Sequence, residues 1–80
     1  MRLTISTADY ERTHGRKPRG RGNWAFRVSL GNGRGGWTTL LDPGFFYGTL
    51  TEGRRRATLY ARREAALVGA AVEARIDVLG

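Results

Sequence analysis

Cysteine is absent from this 80-residue chain and histidine occurs once, at His14. Neither a disulfide framework nor a zinc site of the usual Cys/His kind is therefore available, although a domain this small lies near the lower size limit for a stable core. Stability has to come from packing, with assembly into a homodimer as a further source of buried area. No apolar run approaches the roughly 20 residues that cross a bilayer, so a membrane partner is not expected. The first residues, MRLTISTADYER, lack the apolar centre of a secretion signal, which makes the cytoplasm the expected compartment. Motifs of catalysis are missing as well. The Gly31–Gly36 run GNGRGG lacks the GK[ST] ending of a phosphate-binding loop, and Asp9, Glu11 and His14 have no recognisable ligand spacing. No enzymatic activity, cofactor, metal or small-molecule substrate is expected.

Acids are scarce: seven stand against fourteen basic residues, giving a formal net charge of +7 and a pI near 11.3. Attraction to polyanions or acidic protein surfaces follows as the first expectation. Lysine is scarce too, Lys17 being the single one, and arginine is the residue suited to bidentate contact with phosphate or carboxylate. GC-rich coding also exchanges lysine for arginine, but it does not account for the net charge.

Along the chain, Arg2–Ser6 alternates with Leu3 and Ile5 on one side and predicts a first strand. Asp9–Gly22 has no period and contains Pro18 with three glycines, so it reads as an exposed connection, with a basic arm over about residues 11–22. From Trp24 the alternation is strong, with Trp24, Phe26, Val28 and Leu30 on one face. GNGRGG supplies a hairpin connection, Trp37, Thr39 and Leu41 resume the pattern, Asp42-Pro43-Gly44 predicts a turn, and Phe45–Leu50 predicts the next strand of a three-stranded meander. Thr49 or Thr51 can cap a helix ending near Gly69, and Thr49 with Glu52 has capping-box spacing although Gly53 weakens the first turn. Ala57, Tyr60, Ala61, Leu67 and Val68 form its apolar stripe, with Glu64 at the stripe's edge. Residues 70–79 read either as a final strand, Val72, Ala74, Ile76 and Val78 alternating with Glu73, Arg75 and Asp77, or as continued helix. Together these predict one α+β domain: an antiparallel sheet of four to five strands with one α-helix packed on one face, in two layers.

The candidate binding residues are all cations. Arg16, Lys17, Arg19 and Arg21 lie in the arm, separated by residues that favour extended backbone, so they can track phosphates or line a groove. KPRGRG, Lys17–Gly22, resembles the core of the AT-hook, a minor-groove DNA motif whose final proline is replaced here by Gly22. Arg34-Gly35-Gly36 resembles one unit of an RGG repeat, although a hairpin requires glycine there in any case. Arg27 lies on the strong strand. Arg54, Arg55, Arg56, Arg62 and Arg63 crowd the helix, where helical spacing stacks Arg55 with Arg62 and Arg56 with Arg63 in two ridges. A solvated outer helix face is the alternative for these ridges, but charges of one sign this dense point more strongly than isolated arginines to a polyanionic or acidic partner. Of the adjacent Phe45 and Phe46, one should meet the open face or a partner, since strand neighbours point to opposite sides.

At HGRKPRGRGNWAF, then the glycine hairpin, then GTLTEGRRRATLYARREAA, the chain resembles small proteins carried by phages and other mobile elements of GC-rich bacteria, and within them type I anti-CRISPR proteins. The resemblance implies function by occlusion in a bacterial host cell: docking on the crRNA-guided surveillance complex, Cascade, so that target DNA cannot bind. The arginines would then meet an acidic patch of a Cas subunit or exposed nucleic acid. A basic DNA- or RNA-binding module and a host-factor adaptor are the competing readings.

Overall fold

The computed structural model describes residues 1–40 and 45–79. The expected turn at Asp42-Pro43-Gly44, and Leu41 before it, lie outside the described residues. In chain order the elements are β1 (Arg2–Ser6), α1 (Ala8–His14), β2 (Arg21–Trp24), β3 (Phe26–Gly31), β4 (Trp37–Thr39), β5 (Phe46–Thr49), α2 (Leu50–Val68) and β6 (Glu73–Val78). β1, β6, β3 and β4 form one sheet in that order, and β2 pairs with β5 in a separate two-stranded antiparallel ribbon. The fold is α+β, as expected, but its main sheet is mixed rather than antiparallel, because β1 runs parallel to β6.

In β1, β3 and β6 the period-two residues occupy the faces their alternation dictates; in β4 they do not, since Trp37, Thr38 and Thr39 are all exposed on this edge strand. Leu3 opposite Ala74, Ile5 opposite Ile76, Val28 opposite Ile76 and Phe26 opposite Val78 stack across three strands, and Val28, Ile76 and Val78 are fully shielded from solvent. Burial of each such side chain contributes about 1.5–3 kcal/mol, so the β3–β6 seam is where most of the fold's cohesion lies. Residues 70–79 thus resolve as strand from Glu73 onward.

Four further expectations are corrected. The alternation from Trp24 to Leu30 is broken at Ala25, whose carbonyl accepts from the Leu79 N–H at 2.9 Å, so Trp24 belongs to the ribbon and Phe26 to the sheet. For the same reason β5 does not extend a meander: it turns away to pair with β2. A second helix exists. α1 takes up part of the expected irregular connection because Tyr10 is buried against Trp24 and stacked on His14, an i,i+4 contact too short to show as a period. Leu67 and Val68 are exposed rather than core, since the last turn of α2 runs past the edge of what it covers.

α2 lies over both sheets, touching β3 and β6 of the larger and β5 and β2 of the ribbon. Gly53, Ala57 and Ala61 make its buried stripe, small residues that let the helix approach closely. Thr49 caps it as the spacing predicts: its hydroxyl accepts from the Glu52 N–H at 3.1 Å and donates to the Glu52 carboxylate at 3.0 Å. The Gly69 N–H closes the other end on the Ala65 carbonyl. Thr49→Ala is expected to lower unfolding free energy by about 1 kcal/mol, read as a lower urea midpoint with an unchanged slope.

In the β3–β4 hairpin, Gly33 and Gly35 take the positive φ that the turn requires, at 80° and 87°. The Asn32 carboxamide oxygen accepts from the N–H groups of Arg34 and Gly36 and holds the loop.

Candidate functional site

The buried stripe fixes which arginines α2 can present. With Gly53, Ala57 and Ala61 inward, Arg55 and Arg62 point directly outward, Arg54 flanks them on one side, and Arg56 and Arg63 flank them on the other. All five are exposed. None forms an ion pair among the described residues, and the acid that opens the helix, Glu52, is engaged in the cap. Glu64 is half-buried at the stripe's edge. The Arg56 guanidinium lies 4.9 Å from the Phe46 ring centroid, a cation–π contact from α2 to β5, and that of Arg63 lies 6.0 Å from the centroid of Tyr60 on α2 itself.

The arm meets this surface at one end. The Gly20 carbonyl accepts from the N–H of Leu50, the first residue of α2, at 2.9 Å, and Arg21 pairs with Thr49 across the ribbon. Arg19 and Arg21 therefore flank the N-terminal turn that carries Arg54. Arg16 and Lys17 precede them, exposed, in the irregular segment after α1. The expected arm is thus partly ordered: Glu11–His14 are helical, and Arg21 and Gly22 are strand, which ties the second arginine of the hook-like Arg-Gly-Arg unit into a sheet.

Two of the candidate cations stand apart. Arg34 sits in the β3–β4 hairpin, whose neighbouring Gly33 lies against Val72 beyond the C-terminal end of α2, whereas the arm meets the N-terminal end of the helix. Arg27 is engaged within the fold. Its Nε and Nη2 donate to Asp77 Oδ2 at 3.3 and 3.1 Å, and Nη2 reaches Asp9 at 2.7 Å. Asp77 is 2% exposed and also accepts from Arg75 at 3.0 Å, so the buried carboxylate has the partners that such burial demands. The hydrogen bond to Asp77 is the main cause that raises the Arg27 pKa, against a smaller opposing effect of burial. A raised value keeps Arg27 charged and its stabilising contribution present throughout the working pH range, to be lost only above the ordinary arginine value. Arg27 works as a clamp joining β3, β6 and α1.

The residues considered as a metal or proton-transfer group are engaged separately. Asp9 binds Arg12 and Arg27, Glu11 accepts from the Thr7 hydroxyl at 2.6 Å, and His14 stacks on Tyr10. Among the described residues no three such side chains converge as metal ligands, and no helix is long and apolar enough to cross a membrane.

Sequence reasoning anticipated that one of Phe45 and Phe46 would meet an open face or a partner, and Phe45 does lie exposed, but it did not single out Leu59. Phe45 is 77% exposed and Leu59 63% exposed, and with half-buried Phe46 and Tyr60 they line a groove of about 670 Å³ between α2 and the residues leading into β5. A signal was present: Leu59 falls off the apolar stripe and between the two arginine ridges. Compared with protein-family models, curated proteins and solved structures, the chain matches none.

Proposed function

We propose that this chain is a non-catalytic binding protein that acts by occlusion, in the manner of type I anti-CRISPR proteins. Its arginine surface docks on an acidic patch of a Cas subunit in Cascade and keeps target DNA out. The carrying observation is the α2 surface: five exposed arginines on one helix, none ion-paired among the described residues, on a backbone held by a small-residue stripe. Like charges this dense repel one another, a cost that an acidic partner removes on binding. The carboxylates of Asp9, Glu11, Glu52 and Asp77 are engaged in hydrogen bonds and ion pairs within the fold.

The test is binding of the purified protein to Cascade, with and without nuclease. Arg55→Glu combined with Arg62→Glu is expected to weaken the complex at least about a hundredfold, equivalent to about 2.8 kcal/mol. Each exposed change should cost the fold no more than about 0.5 kcal/mol. Unchanged affinity in the double variant excludes α2 as the docking face.

One observation favours a second reading. Because Gly20 and Arg21 are tied to the start of α2, the arm and the helix form a continuous basic tract suited to a phosphate backbone. A DNA- or RNA-binding module would lose affinity linearly in log salt, and Arg19→Ala or Arg21→Ala would weaken binding across sequences. Failure to shift either nucleic acid at low salt removes this reading.

A further inference from the structure

The groove beside α2 combines two chemistries. Leu59 and Phe45 expose apolar surface at its lips, while Arg56 and Arg63 hold guanidinium groups along its length. Gly53 to Arg63 is ten helical steps, roughly 15 Å, the length of about three helical turns or of four to five extended residues. Aromatic and cationic lining could suit stacked bases, but Phe46 is already covered. Arg56 lies over its ring, and the backbone at Gly48 and Gly53 approaches that ring so closely that a Cβ at either would lie within 2.6 and 3.3 Å of it. Arg63 likewise lies near the Tyr60 ring. With these rings in use, apolar side chains fit the groove better than base planes do, and the guanidinium groups complement carboxylates beside them.

We propose that the groove receives a short segment of a partner protein in which large apolar residues are flanked by Asp or Glu. The apolar side chains sink between Phe45 and Leu59, and the carboxylates pair with Arg56 and Arg63. This rests on the docking reading above and specifies what the partner must present, a helix-in-groove or extended-segment mode of recognition. The apolar anchors supply affinity that surface ion pairs in water do not.

The experiment is selection from a phage-displayed library of random peptides of about 12 residues, enough to cover roughly 15 Å as helix or strand, against the full chain. Enriched peptides should carry both acids and large apolar residues. Leu59→Glu should weaken their binding at least about thirtyfold, as should Arg56→Glu with Arg63→Glu, an effect the size of one interface hot spot. Arg2→Glu, the same change of charge as one of those arginine reversals but on edge strand β1, should leave binding within about twofold. Circular dichroism melts confirm that each variant is folded. Enrichment of acidic peptides without apolar residues, absence of enrichment, binding that survives Leu59→Glu, or displacement of the peptides by oligo-dT of equal charge each overturns the proposal. If Arg55→Glu with Arg62→Glu abolishes Cascade binding while Leu59→Glu does not, the groove proposal fails and the docking reading stands.

Discussion

Gly53→Leu is expected to leave the chain largely unfolded at 25 °C. A Cβ at this position would lie 2.9 and 3.0 Å from two atoms of the Phe26 ring and 3.3 Å from Phe46. Phe26 is buried at the start of β3, so a Cβ this close displaces either the ring from its buried seat or α2 from the sheet. Alanine sets the scale: it gains about 1 kcal/mol in helix propensity over glycine, while overpacking a filled core costs about 1–3 kcal/mol. The small variant is therefore expected to come out near neutral or mildly destabilised. Leucine adds three more carbons to the same overlap, and a chain of this length has roughly 4–12 kcal/mol to lose. Urea unfolding followed by tryptophan fluorescence measures it. A Gly53→Leu midpoint equal to that of the parent chain would show that the helix can ride higher on Phe26, contrary to the packing described.

Trp24→Ala carries the second large effect, an expected loss of about 3–5 kcal/mol. Trp24 ends the ribbon strand β2, packs against Tyr10 of α1, and donates its indole N–H to the Gly48 carbonyl of β5 at 3.1 Å. It thereby ties α1 to the β2–β5 ribbon and adds a side-chain bond across that ribbon. Trp24→Phe separates the two contributions, because it keeps most of the apolar area and removes only the hydrogen bond. Its expected cost is about 1 kcal/mol, with up to about 3 kcal/mol if the buried Gly48 carbonyl finds no other donor. Equal costs for Phe and Ala would mean that packing of the indole is not what stabilises this corner.

The parts of the fold legible in the sequence are those written in neighbouring residues. The capping-box spacing of Thr49 and Glu52, the glycine hairpin, the end of α2 at Gly69 and the inward faces of β1 and β3 each follow from spacings of two to four residues, whereas residues 70–79 read as strand or as helix until pairing with β1 and β3 decided for β6. Gly53, which on propensity alone weakens the start of α2, is explained by a residue 27 positions earlier, Phe26, whose ring occupies the space a side chain would need.

The candidate site divides along the same line. That α2 turns Arg55 and Arg62 outward was readable from the helical period. That Arg27 is held by Asp77 and Asp9 was not, since the partners lie 50 and 18 residues away. Nor could the groove be foreseen, because only the packing of α2 against the ribbon places Leu59 on the same groove as Phe45.

The sequence by itself determined the charge, the outward ridges, the capping-box spacing and the inward faces of β1 and β3, because these depend on short-range periodicity and on chain composition. Tertiary structure alone decided that β1 runs parallel to β6, that β2 and β5 leave the main sheet, and which cations are engaged inside the fold. The physical reason is that alternation specifies a face but not a neighbour: strands of similar pattern compete for the same partners, and the pairing is settled by which whole arrangement buries the most apolar surface with its polar groups satisfied.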